Sequence, residues 1–341
     1  MSATTKIQWC DATLNPWEGC TKVSAGCANC YAETRDRRRL TEDRGHWGPG
    51  VSRRRVKGFE AAARTMERQG ARGKGQDGRL RVFPSLCDWL DPEVPVEWLA
   101  EFLRVVHETP HLDWLLLTKR PERWAERVML AHNEITPCAN NLPLSSLLVN
   151  WLGGKPPANV WLGVTAENQA AADARLPELL RIPAAVRFVS VEPMLGAVDL
   201  RMGKRKEERG KSRIGSPLAP CPLPRLDWVI VGGETGPGAR PCNVDWIRDV
   251  VRQCKAAGVP CFVKQLGRTI VDRNDAGFEG DPGDWPMDTH YSDLDSGYQG
   301  APVRVLLKHY AGADPAEWPE DLRVREFPQI RGQKTEIRGQ T

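Results

Sequence analysis

Short, largely apolar runs recur along the chain at 81–85, 113–117, 159–164, 186–191, 226–231 and 259–263. Near-continuous apolarity over so few residues, as at 113–117, is the mark of a parallel strand buried on both faces. Residues 6–9 read as a first strand. Between the runs lie segments with helical spacing, at 31–40, 96–106, 169–181 and 244–257, and another opened by Pro121 at its first turn. About seven strand-to-helix units in series predict an α/β fold, a (β/α) barrel that is partial or complete. An open doubly wound sheet is the competing architecture.

The alternation fails in four places. Residues 41–78, after the first helix, form a basic insertion carrying Arg44, Arg53, Arg54, Arg55, Lys57, Arg64, Arg68, Arg72 and Lys74. It reads either as a solvated insertion or as a surface that meets phosphates. On the second reading Trp47, Arg53, Arg54, Arg55 and Lys57 are the nucleic-acid candidates, with Trp47 available to stack. Residues 136–157 are irregular, and 201–224 form a charged, proline-rich insertion. The barrel domain is therefore placed at 1–268. Residues 269–341 are expected to be an irregular C-terminal extension with one late element near 304–308.

Each apolar run ends in charge. Asp88, Lys119, Glu167, Glu192, Glu234 and Lys264 directly follow successive runs, where a longer strand would have added core. In barrels and doubly wound sheets alike, functional side chains gather at the carboxyl ends of strands. Charges on successive units should thus converge on one rim. Salt bridges that merely close the rim are the alternative for any one pair.

Cysteine adds a second kind of chemistry. Cys20, Cys27 and Cys30 form a C-x6-C-x2-C pattern in a loop rich in Gly, Pro and Ser, just before the first predicted helix. Three soft thiolates in one loop suit an iron–sulfur cluster or a zinc ion. Zinc would need a fourth ligand, for which Cys10 and His46 are nearest. Cys87, Cys138, Cys221, Cys242, Cys254 and Cys261 are scattered and expected as buried free thiols, which with no secretory signal points to a reducing cytoplasm. No long apolar span suggests a membrane partner. A net charge of +4 permits a nucleic-acid partner without requiring one.

Five segments carry a resemblance. They are Asn15-Pro16-Trp17-Glu18-Gly19-Cys20 with Gly26-Cys27-Ala28-Asn29-Cys30-Tyr31-Ala32; Leu117-Thr118-Lys119-Arg120-Pro121-Glu122-Arg123; Ser190-Val191-Glu192-Pro193-Met194; the stretch from Val231-Gly232-Gly233-Glu234 to Arg240-Pro241; and Val263-Lys264-Gln265-Leu266-Gly267. In this order they make the chain resemble a phage-encoded, three-cysteine branch of the radical S-adenosyl-L-methionine (radical SAM) superfamily, of the kind linked to thymine hypermodification in phage DNA. The usual spacing there is C-x3-C-x2-C, whereas the first gap here is six residues.

The resemblance implies a radical SAM-like barrel in which Cys20, Cys27 and Cys30 hold a 4Fe-4S cluster whose open iron takes SAM. It implies an external one-electron reductant and a 5′-deoxyadenosyl radical that abstracts hydrogen from the substrate. Gly232, Gly233 and Glu234 are like the triplet that binds the methionine amino group, with Ser85 and Asp88 as competitors. Lys119 or Arg120 would pair with the SAM carboxylate, and Glu167 or Glu192 would accept ribose hydroxyls or an ammonium. Lys119 and Glu192 are the catalytic candidates. The implied substrate is DNA carrying an aminoacyl (glycyl) thymine, in the cytoplasm of an infected host. An isomerase would convert it from nitrogen-linked to carbon-linked form after flipping the base out of the duplex. Rival expectations are a radical SAM lyase repairing a damaged pyrimidine and a non-enzymatic, zinc-dependent nucleic-acid-binding module. A hydrolase using two of Glu167, Glu192 and Glu234 would leave the cysteine loop unexplained.

Overall fold

In the computed structural model, the described residues are 5–39, 45–75, 78–135, 142–201, 225–273, 285–286, 289–293 and 302–329. Arg44, Cys138, Cys221 and all but the first residue of the 201–224 insertion lie outside them, as does the chain beyond residue 329.

The elements in order are β1 (Ala12–Thr13), β2 (Trp17–Glu18), α1 (Tyr31–Arg37), β3 (Arg54–Arg55), α2 (Phe59–Gly70), β4 (Leu80–Phe83), α3 (Val96–Glu108), β5 (Leu112–Thr118), α4 (Trp124–Ile135) and α5 (Leu142–Leu152). They continue with β6 (Val160–Thr165), α6 (Gln169–Arg181), β7 (Val186–Val191), β8 (Trp228–Gly232), β9 (Cys242–Asn243), α7 (Val244–Ala257), β10 (Cys261–Gln265), β11 (Ile270–Arg273), β12 (His290–Asp293) and β13 (Pro302–Leu306). Seven strands pair all-parallel in the order β1-β4-β5-β6-β7-β8-β10, and the sheet curls into a half-barrel. The partial barrel is the architecture found.

Alternate residues of these strands feed two separate cores. Trp114, Leu116, Val189, Val191, Val229, Val231, Cys261 and Val263 pack with the helices in one core. Their alternates Leu115, Phe188, Ile230 and Phe262 join Trp9, Phe83, Trp161 and Trp228 in a second core on the opposite face. Each fully buried side chain of this kind contributes roughly 1.5–3 kcal/mol, so neither face can be given up cheaply. Gly163 on β6 makes room for the aromatic cluster: a Cβ there would lie 2.3 Å from the Phe188 ring.

Four segments differ from expectation. Residues 6–9 are not a strand; Trp9 instead packs on Phe83, Phe188 and Trp228, and pairing with β4 starts at Ala12. The insertion contains α2, whose buried stripe of Phe59, Ala63, Met66 and Gly70 has helical spacing but is thin amid charge. Within 136–157, α5 buries Leu144, Leu148 and Trp151. Past residue 268, where alternation is lost, β11, β12 and β13 join β9 in a four-stranded sheet.

The last described segment bears on the half-barrel itself. The Val263 N–H donates to Val324 O at 2.8 Å and the Glu326 N–H to Cys261 O at 2.8 Å, so the segment runs along β10. Phe327 packs on Trp228 and Phe262, and Arg325 reaches Gln8 at 3.0 Å. The segment around Gln8 and the last described segment thus meet beside the edge strand β10. No helix among the described residues is long and apolar enough to cross a membrane.

Candidate active site

The cysteine loop spans residues 20–30 and is fixed at both ends by local structure. Gly19 enters it with φ 118°, and a Cβ there would sit 2.4 Å from His46 O, so only glycine fits. Ala25–Cys27 form one 3-10 turn, and Cys30 occupies the position preceding α1.

Residues at the carboxyl ends of four parallel strands bind this loop or Tyr31, the first residue of α1 directly after it. After β4, Ser85 O accepts from the Tyr31 hydroxyl at 2.6 Å. After β5, Arg120 donates to Cys20 Sγ at 3.5 Å and to Thr21 O at 2.7 Å. After β6, Glu167 Oε1 accepts from the Gly26 N–H at 3.2 Å, with Gly26 so close that a Cβ would lie 3.0 Å from the carboxyl carbon. After β8, Glu234 accepts from Asn29 at 3.0 Å and is held by Arg240 at 2.6 and 2.9 Å. Arg240 also donates to Ala25 O at 2.9 Å. The loop therefore lies across the mouth of the half-barrel.

These anchors are charged in the folded state. Burial opposes ionisation of Glu167, but the Ser24 hydroxyl, Arg175 and the Gly26 N–H together hold its carboxyl below the usual value. Arg175 lies 2.7 Å from it. Burial likewise opposes Glu234, yet hydrogen bonds from Arg240 and Asn29 bring it below the usual value. For Cys20, burial followed by the Asp88 charge pushes the thiol up to about 12.

Asp88, expected at the rim, is buried and builds the support beneath Cys20. It accepts from Thr118 at 2.7 Å, from the Lys119 N–H at 3.0 Å and from Arg120 at 2.9 Å. Three of the rim charges, Asp88, Glu167 and Glu234, are thus engaged directly or through Arg120 with the cysteine loop. The other three are arranged differently. Lys264 pairs with Glu192 at 3.0 Å, and Ser190 donates weakly to Glu192 at 3.4 Å. The Lys119 side chain is partly exposed. Strand parity puts Thr165, Ser190 and Gly232 on the same face as the aromatic cluster, so these positions stand above an apolar floor. Gly232 and Gly233 have packing reasons to be glycine. A Cβ on Gly232 would lie 3.0 Å from Glu192 Oε1, and one on Gly233 would collide with Leu266 O at 2.1 Å.

Cys20, Cys27 and Cys30 are free thiols, partly exposed. Among the described residues, no three His, Cys, Asp or Glu side chains gather as a site for one metal ion. The suggested fourth zinc ligands are engaged elsewhere. His46 faces Asp36 at 3.1 Å, and Cys10 is buried with Sγ 3.7 Å from Ile7 O. A single zinc needs its thiolates about 2.3 Å from one point. An iron–sulfur cluster takes its cysteines on separate irons, so it does not require its thiols to meet at one point.

The nucleic-acid candidates separate by exposure. Arg53 is buried, with contacts to Asp91 at 2.9 Å and Thr21 at 2.7 Å, so its charge is neutralised inside the fold. Arg54 pairs with Glu18 at 2.6 Å, and the half-exposed Arg55 pairs with Glu101. Trp47 is partly exposed and bridges Cys20, which places it beside the cysteine loop. Arg55 and the exposed Lys57 line a groove of about 530 Å³ with Trp98 and Phe59. Asn29, Thr21, Arg175 and Arg240 were not singled out from sequence. Asn29 and Arg240 lie within the quoted motifs, but nothing in their spacing reveals that they tie the loop to β8.

The family described as "protein of unknown function (DUF5131)" matches residues 4–314 of this chain. Neither the curated proteins nor the solved structures contain a match.

Proposed function

The chain belongs to the DUF5131 family, and we propose that it is a radical SAM enzyme of DNA base hypermodification. In this reading Cys20, Cys27 and Cys30 hold a 4Fe-4S cluster, and the activity is isomerisation of an aminoacyl thymine from nitrogen-linked to carbon-linked form. The observation that carries it is the three-thiol loop, with Tyr31 directly after it, bound to the carboxyl ends of four parallel strands, directly above the mouth of the half-barrel. When bound, the cluster with SAM would supply the hydrogen-abstracting radical; the protein supplies position, charge and exclusion of water.

The contacts support one allocation of the candidate roles. Arg120 is committed to Asp88, Thr21 and Cys20, which leaves Lys119 as the rim cation for the SAM carboxylate. Glu167 and Glu234 are committed to the loop, so the remaining acceptor for an ammonium or ribose hydroxyls is Glu192, oriented by Lys264. The aromatic floor of Trp9, Phe83, Trp161, Phe188 and Trp228 keeps water from rising through the barrel. Trp47, Arg55 and Lys57 are the residues assigned to DNA, since Arg53 faces inward. The resemblance supplies the substrate class.

The test is anaerobic turnover with SAM and a reductant on three DNAs: unmodified, carrying aminoacyl thymine, and carrying a damaged pyrimidine. Carbon-linked product and 5′-deoxyadenosine from the second alone are expected. Turnover only of the damaged DNA would replace the isomerase with the repair lyase. No 5′-deoxyadenosine with any of them would sink the enzymatic reading.

A further inference from the structure

A chain of buried charges runs from the basic segment to the first cysteine. Arg53 Nε lies 2.9 Å from Asp91, Asp91 lies 3.9 Å from Arg120, and Arg120 Nη1 lies 2.9 Å from Asp88. The two guanidinium groups grip Thr21 from two sides, Arg53 through the hydroxyl at 2.7 Å and Arg120 through the carbonyl at 2.7 Å. Thr21 follows Cys20 directly, so the backbone of a proposed ligand is clamped. The same Arg120 nitrogen that contacts Asp88 points at Cys20 Sγ from 3.5 Å.

Arginine suits this place because its planar fork serves an acid, a carbonyl and a sulfur at once, whereas a lysine head offers one compact charge. Asp88 fixes the fork in turn. It accepts from the Thr118 hydroxyl and from the Leu90 and Lys119 N–H groups at 2.7, 3.0 and 3.0 Å. A merely structural arginine would need Asp88 and Thr21; it would not need to aim a donor at the thiol.

We infer that Arg120 is a positioning residue for Cys20 and that it donates a hydrogen bond to the ligating sulfur, setting the cluster's reduction potential upward. This rests on the cluster reading above. Hydrogen bonds to ligand sulfurs and nearby positive charge favour the more negative, reduced state of an iron–sulfur centre. Removing the donor should therefore shift the midpoint potential downward, with the cysteine ligands unchanged.

The test uses the full chain reconstituted anaerobically, comparing wild type, Arg120→Lys and the double variant Asp88→Asn/Arg120→Met. The double variant removes one charge of each sign, so net charge is conserved and the donor to sulfur is what is lost. A redox titration followed by the electron paramagnetic resonance of the reduced cluster gives the midpoint potential, and iron per chain is measured alongside. A more negative potential in the double variant, with Arg120→Lys between it and wild type, is the expected result. If the double variant does not retain a cluster, Arg120→Lys alone decides: a potential below wild type supports the inference. Full iron with an unmoved potential would overturn it and leave the cluster reading standing. Wild-type protein that takes up no iron would overturn both.

Discussion

At the mouth of the half-barrel, charges delivered by different strands meet one loop. In residues 53–55, charges delivered by one segment meet acids elsewhere in the fold. Glu167 and Glu234 come from β6 and β8, far apart in sequence, and both take donors from residues 26–29. Arg53 and Arg54 are adjacent, yet one is buried on Asp91 and the other is partly exposed on Glu18. A charge placed after a strand has its position set by the sheet. A charge in a basic run has its position set by whichever acid the tertiary fold brings near, and that acid is invisible locally.

The largest expected effect breaks the comparison on the basic side. Arg53→Met leaves Asp91 buried without its closest partner and should cost about 3–5 kcal/mol in a denaturant melt. A loss under about 1 kcal/mol, typical of a surface ion pair, would show that Arg53 is not an internal support. On the rim side, Glu167→Gln weakens two charge-assisted bonds, to Arg175 and Gly26. It should cost about 1.5–3 kcal/mol, the range for hydrogen bonds to charged groups. It should also speed alkylation of Cys27 in the metal-free protein; unchanged labelling would detach the loop from β6.

Acid titration sharpens the same point. Glu167 and Glu234 sit below their ordinary value of 4.5, so their stabilisation is present above that pH and is lost as pH falls through the lower native values. The melting temperature of wild type should therefore fall more steeply below pH 4.5 than that of Glu167→Gln/Glu234→Gln. Parallel curves would contradict the assignment. The smallest effect belongs to Lys57→Ala, exposed at the groove. Its stability change should stay within about 0.5 kcal/mol, while the salt dependence of DNA binding should flatten by roughly one phosphate contact. An unchanged salt slope would remove Lys57 from the DNA surface.

Much of the sheet was legible because the strands are buried on both faces: 186–191 as a strand and 169–181 and 244–257 as helices agree with the structure residue for residue. The placement of Glu167, Glu192, Glu234 and Lys264 at or just after the carboxyl ends of strands followed from the same pattern. What they do there did not follow. Glu234 reads as a candidate cofactor ligand, but its partners Asn29 and Arg240 are set by how the loop folds over the barrel. Helix α2 was hidden because its apolar stripe rests on small residues such as Ala63 and Gly70, outweighed by the arginines between them. The segment ending at Phe327 shows no pattern because its backbone pairs with β10 without alternating side chains.

The proposed activity requires three thiols serving one iron–sulfur cluster, and metal content tests that directly. Iron, acid-labile sulfide and zinc per chain would be measured after anaerobic reconstitution of wild type and Cys30→Ala. About four irons and four sulfides in wild type, the stoichiometry of a 4Fe-4S cluster, with loss in the variant, is the predicted result. About one zinc and no labile sulfide would contradict it.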